Sequence, residues 1–106
     1  MDERIKHLIN QIKAYLMKMY GGKIKKVILY GSFVRGEVTR DSDIDILVLV
    51  DKSLNPFEVR ESLSDLLFDI LLEEGELISV ITVPEDFFEN YNSPFNLNVK
   101  KEGVAV

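Results

Sequence analysis

Two apolar, β-rich runs, Val27–Tyr30 and Ile44–Val50, enclose a polar segment that holds Gly31-Ser32 and the carboxylates Asp41, Asp43 and Asp45. Nothing else in the sequence constrains the fold as strongly. Continuous apolar runs rich in branched residues suit strands buried on both faces. Asp43 and Asp45 stand two positions apart at the mouth of the second run, so on a strand both side chains leave the same face. Their Cα atoms then lie roughly 6.5–7 Å apart. Bringing two such charges to about 4 Å costs on the order of 4 kcal/mol at an effective dielectric near 20. A raised pKa, an arginine or a bound divalent cation relieves that cost.

The remaining elements follow from periodicity and punctuation. Ile5, Leu8, Ile9, Ile12, Leu16 and Met19 recur at three- and four-residue steps and predict an amphipathic helix over 3–20. Asp2 is placed to cap it and Gly21-Gly22 to stop it. His7, the single histidine, falls at the edge of this stripe and reads as a surface or boundary residue rather than a ligand. The first strand spans 23–30, and the polar segment 33–40 has room for a turn or two of helix. The second strand spans 43–50. Asn55-Pro56-Phe57-Glu58 opens a second long helix, striped by Val59, Leu63, Leu66, Leu67, Ile70 and Leu71 and closed by Gly75. A third strand covers 77–83. Short helices open at Pro84 and at Ser93-Pro94, and the chain closes on the apolar tail Val104-Ala105-Val106. Phe87, Phe88, Tyr91 and Phe95 read as core. Alternation of helices and strands predicts an α/β sandwich with a small sheet; the pattern alone does not decide between a parallel and a mixed sheet.

One domain spanning residues 1–106 accommodates all of this. No cysteine is present, which excludes disulfides and thiolate metal sites and favours a cytoplasmic protein. No apolar run approaches the roughly 20 residues of a membrane span, and the charged N-terminus lacks a signal-peptide core. The net charge of −5 argues against nucleic-acid binding by the chain alone, because phosphate contacts need a basic face. Homo-oligomerisation is left open.

The carboxylate pair favours a hard cation, Mg²⁺ or Mn²⁺, since oxygen ligands are the ones on offer. Asp41 shares the parity of the pair but precedes the apolar run, which makes it a loop residue. Gly31-Ser32 ends the first strand, where glycine permits close approach of a phosphate and the serine hydroxyl adds a donor. By itself such a pair is a strand-ending turn; beside a carboxylate pair it becomes the other half of a metal–triphosphate site.

Gly31-Ser32, ten intervening residues and Asp43-x-Asp45 resemble the signature of the DNA polymerase beta nucleotidyltransferase superfamily. The fuller string GSFVRGEVTRDSDIDILV, with Arg35-Gly36 and with Ser42 ahead of the pair, is similar to the minimal nucleotidyltransferases. The likeness extends from the leading helix through LISVITVPEDFF to VKKEGVAV. It implies a nucleotidyltransferase fold, a small mixed sheet of three or four strands flanked by helices. It also implies transfer of a nucleotide from ATP or another nucleoside triphosphate. Gly31, Ser32, Arg35 and Ser42 would then bind nucleotide, while Asp43 and Asp45 would be catalytic and hold the metal. The family carries a third carboxylate on a following strand, which here falls at Leu77 to Ser79, where no acid stands. Glu76 is the nearest acid and the candidate for that catalytic role.

Stand-alone proteins of this size resemble the antitoxin partner of HEPN-domain toxins, implying transfer of AMP to a hydroxyl of the toxin protein. The alternative is a catalytically weak or inactive nucleotide- and metal-binding module that neutralises its partner by binding and occluding it. A third reading makes the Asp pair a structural cap for loop backbone groups.

Overall fold

The computed structural model describes residues 2–106. Helix α1 spans Glu3–Tyr20 and buries Ile5, Leu8, Ile9, Ile12 and Leu16 on one stripe. The Asp2 carboxylate accepts the Arg4 amide at 2.7 Å, as its capping position predicts. Met19, expected on the stripe, is instead exposed, because the helix ends at Tyr20, one residue later. Strand β1 (Ile24–Tyr30) leads through the one-turn helix α2 (Ser32–Arg35) and a polar loop into strand β2 (Ile44–Val50).

The long helix expected after Asn55 is two helices, α3 (Pro56–Ser62) and α4 (Ser64–Glu74), broken at the buried Leu63. The break has a local cause. The Ser62 hydroxyl bonds back to the Val59 carbonyl at 2.7 Å, and the Ser62 carbonyl accepts the Tyr15 hydroxyl at 2.8 Å. A serine that bonds backwards bends its helix. A carbonyl committed to a tyrosine on α1 then fixes the bend. Strand β3 (Ile78–Pro84) is followed by α5 (Glu85–Asn90), α6 (Pro94–Glu102) and a two-residue strand β4 (Val104–Ala105) that the apolar tail supplies.

The sheet is mixed, in the order β3-β2-β1-β4. β1 pairs antiparallel with β2 and with β4, while β2 and β3 run parallel. A parallel pair needs a long crossover, and α3 and α4 provide it. Both faces are covered. Alternate residues Ile44, Ile46, Val48 and Val50 of β2 enter a core shared with α1, α3 and α4. Leu47 and Leu49 enter a smaller cluster with Ile28, Phe88 and Val99, under α5 and α6. Burial on both sides explains why the run is apolar without alternation. The outer edge of β3 is guarded: the Arg60 guanidinium donates to the Val80 carbonyl at 3.2 Å, and the Thr82 hydroxyl to the Pro56 carbonyl at 2.6 Å.

Of the four aromatic residues expected in the core, only Phe88 is buried. Phe87 and Tyr91 lie one helical turn apart and stack on each other in solvent, ring centroids 5.1 Å apart. The cluster beneath them is small, and Phe88 fills the place available there. No helix among the described residues is long and apolar enough to cross a membrane.

Candidate active site

Parity along β2 places the carboxylates. Since Ile44 and Ile46 face the larger core, Asp45 faces the other side of the sheet, toward α5 and α6. Its register neighbours are Tyr30 on β1 and Ser79 on β3, and directly paired residues share a face. Asp43 stands one residue ahead of β2 with the same parity. The strand begins at Ile44 rather than at Asp43, so the first carboxylate belongs to the loop end and the second to the sheet.

The charges feel each other. Burial raises the Asp45 carboxyl above its ordinary range, the Asp43 charge adds to the rise, and the Arg35 charge opposes it. Burial, reinforced by the Asp45 charge, pushes the Tyr30 phenol up to about 12. Tyr30 is therefore neutral at physiological pH.

Gly31 ties the turn to the strand. Its φ of +80° and ψ of −152° lie in a region essentially reserved for glycine. A Cβ built there would collide with Oδ2 of Asp45. The bare glycine backbone and the carboxylate are thus in contact, and the two halves of the sequence signature meet in space. The Gly31 carbonyl accepts the Val34 and Arg35 amides at 3.1 and 3.2 Å, which winds α2. The amides that open a helix have no partner inside it, and here that end begins at Ser32 beside Asp45.

Arg35, at the end of α2, is exposed and shared by two acids. Its Nε donates to Glu37 at 3.3 Å and its Nη1 to Glu102 of α6 at 3.4 Å. Ser42 is occupied locally: its hydroxyl oxygen accepts the Thr39 amide at 2.8 Å and so fastens the turn that delivers Asp43. Asp41 is exposed in the same loop.

Glu76 shares an opening with Asp43 but not with Asp45. Its carboxylate is ion-paired with the Arg4 guanidinium at the start of α1. It lines an opening of about 500 Å³ together with Asp43, Ser42 and Arg40. Asp45 instead borders a cleft of about 290 Å³ with Tyr30, Gly31, Arg35 and a face of α6. One carboxylate of the pair thus borders each opening. A recess of about 440 Å³, lined by Ile5, Leu29, Phe33 and Val104, touches neither carboxylate. Among the described residues no group of three or more His, Cys, Asp or Glu side chains forms a metal cluster. Ser79, in register with Asp45, occupies the sheet position beside the pair.

The donor set nonetheless suits a hard divalent ion. Two carboxylates with a mutual charge penalty and an all-oxygen environment match Mg²⁺ or Mn²⁺. The α6 wall, with Phe95, Asn98 and Glu102, was not foreseen from the sequence. Its signal is the i, i+3, i+7 spacing of those residues, but no sequence pattern states which helix face meets which strand.

A mixed sheet that sets a Gly-Ser turn against an Asp-x-Asp strand defines a nucleotidyltransferase core. Residues 9–105 match the nucleotidyltransferase domain family, and the chain belongs to that family. It is 37% identical over 103 residues to a protein of Methanocaldococcus jannaschii designated a candidate protein adenylyltransferase, covering 96% of this chain and 93% of that one. A second protein of that organism with the same designation is 41% identical over 66 residues, 59% of this chain and 65% of its own. Among solved structures, a toxin–antitoxin crystal structure with AMP-PNP contains a chain of the same fold. The TM-score is 0.58 and the identity 19%, with 90% of this chain and 69% of that chain covered. The chain is a nucleotidyltransferase with the expected mixed sheet of four strands.

Proposed function

We propose that this protein transfers AMP from ATP to a hydroxyl group of a partner protein, as the antitoxin of a HEPN-type toxin–antitoxin pair in the cytoplasm. The observation that carries the reading is the contact of the Gly31 backbone with the Asp45 carboxylate, beside Arg35. It sets the Gly31-Ser32 turn, read here as phosphate-binding, against the carboxylate pair, read here as cation-binding. The designations of the relatives as candidate protein adenylyltransferases, and the toxin–antitoxin setting of the structural neighbour, support the acceptor and the partner.

In this reading Gly31 and Ser32 hold phosphate oxygens through backbone amides and the serine hydroxyl. Arg35 exchanges its two carboxylate partners for the triphosphate. Asp43 and Asp45 would hold a divalent ion, which would supply positive charge against the charge developing on the phosphate oxygens. The acceptor oxygen bonds to the α-phosphorus, the bond from that phosphorus to the bridging oxygen breaks, and pyrophosphate leaves. The acceptor proton passes to Glu76 once that carboxylate is free of Arg4. Positioning and charge account for most catalysis at phosphorus. The exposed, stacked Phe87 and Tyr91 offer the partner a surface.

Purified protein, labelled ATP, Mg²⁺ and the product of an adjacent HEPN-type gene form the test. Label should enter that product, and Asp43→Asn, still folded, should abolish the transfer. Equal labelling by the variant overturns the proposal.

The ion pair of Glu76 with Arg4 favours a second reading, a binding module that silences its partner by occlusion. Suppression of the toxin in cells by Asp45→Ala would support it. Loss of suppression while the complex still forms would exclude it.

A further inference from the structure

The 290 Å³ cleft beside Asp45 has a second end whose chemistry differs from that of its phosphate side. One face of α6 forms its wall, with Phe95, Asn98 and Glu102 at successive turns. Seven residues of helix span about 10 Å, and the two ends of this stretch are anchored to different parts of the site. At one end Glu102 reaches Arg35. At the other, the Phe95 ring meets Tyr30 edge to face, centroids 5.5 Å apart and planes at 86°. Phe95 remains 36% exposed while Tyr30 is half-buried, so an aromatic surface is left open to the cleft. Between the ends stands Asn98, exposed, with an amide that both donates and accepts.

We propose that this end of the cleft is a nucleobase subsite, in which the Tyr30–Phe95 pair gives the base an aromatic face and Asn98 hydrogen-bonds its edge. The inference rests on the nucleotidyltransferase reading of the Gly31–Asp45 end. Every base has a π-face, and an exposed ring next to a phosphate-binding turn is placed to stack one. A carboxamide matches the adjacent donor and acceptor of adenine, N6 and N7, so the subsite favours ATP over GTP. Tyr30 pairs in register with Asp45, so the aromatic pair adjoins the carboxylate across the sheet.

Titration calorimetry of the full chain with MgATP, MgGTP and magnesium tripolyphosphate separates the possibilities. Wild type should bind MgATP more tightly than tripolyphosphate. Phe95→Leu keeps apolar volume but removes the ring, and should weaken MgATP roughly five- to a hundredfold while leaving tripolyphosphate unchanged. Asn98→Ala, at an exposed position, should erase the preference for ATP over GTP. Equal binding of MgATP and tripolyphosphate by wild type, or unchanged MgATP affinity in Phe95→Leu, overturns the subsite and leaves the transferase reading standing. Unchanged ATP preference in Asn98→Ala removes Asn98 from it. Failure of wild type to bind MgATP or tripolyphosphate overturns the underlying reading itself.

Discussion

Replacing Gly31 by alanine tests whether the turn and the carboxylate strand form one unit. The backbone at this position, φ +80° and ψ −152°, costs a non-glycine residue about 1–3 kcal/mol. The added methyl must also displace the Asp45 carboxylate, because the space a Cβ needs is already taken by Oδ2. Gly36 is the matched control. It too has positive φ, +75°, yet a Cβ there meets nothing within 4 Å. Gly36→Ala should therefore cost backbone strain alone, about 1–2 kcal/mol. For a domain of this size each kcal/mol lowers Tm by about 4–8 °C. Thermal unfolding should show a clearly larger drop for Gly31→Ala than for Gly36→Ala. Adding Asp45→Ala should recover the excess, with a coupling of about 0.5–3 kcal/mol in the double-mutant cycle. MgATP binding should fail in Gly31→Ala and persist in Gly36→Ala. Equal destabilisation of the two variants, no coupling to Asp45 and retained MgATP binding would together refute the reasoning.

Other consequences concern single groups. The Asp45 carboxyl has a raised pKa in the folded chain, so its charge opposes folding above that pKa and the penalty fades as the carboxyl protonates. Without metal, Asp45→Asn should thus raise Tm at pH 7, with the gain shrinking toward pH 4 and below; Mg²⁺ should stabilise the wild type and not the variant. Glu76→Gln should reduce AMP transfer by about 10²–10⁴ with MgATP affinity unchanged, as loss of a general base does. Because Arg4 is half exposed, breaking their pair should alter stability by less than about 1 kcal/mol. Tyr15→Phe removes the hydroxyl that holds the Ser62 carbonyl at the α3–α4 break, and urea unfolding should register a loss of about 1 kcal/mol.

Local chemistry made much of this protein legible. The α1 stripe, the Asp2 and Asn55 caps, both apolar strands and the Gly31-Ser32/Asp43-x-Asp45 signature depend on neighbours a few residues away, and their periodicity is visible in the chain. The parity argument that put both carboxylates on one face needs only the period of a strand.

Long-range contacts decided the rest. The break at Leu63 follows from a tyrosine 47 positions away from Ser62, which no local pattern announces. Phe88 enters the core and Phe87 does not, because the sheet face under α5 and α6 offers a small cluster. Glu76, the acid nearest to the family's third position, is turned toward Arg4 by the placement of α1. The apolar runs, the Gly-Ser turn and the Asp pair are written in residue type and spacing, so the sequence by itself determined the class of chemistry. Tertiary structure alone decided that Gly31 touches Asp45, that α6 walls the cleft with Phe95 and Asn98, and that Glu102 holds Arg35. Those contacts join residues from 14 to 67 positions apart, and which faces meet is set by how helices pack onto a twisted sheet, not by any local periodicity.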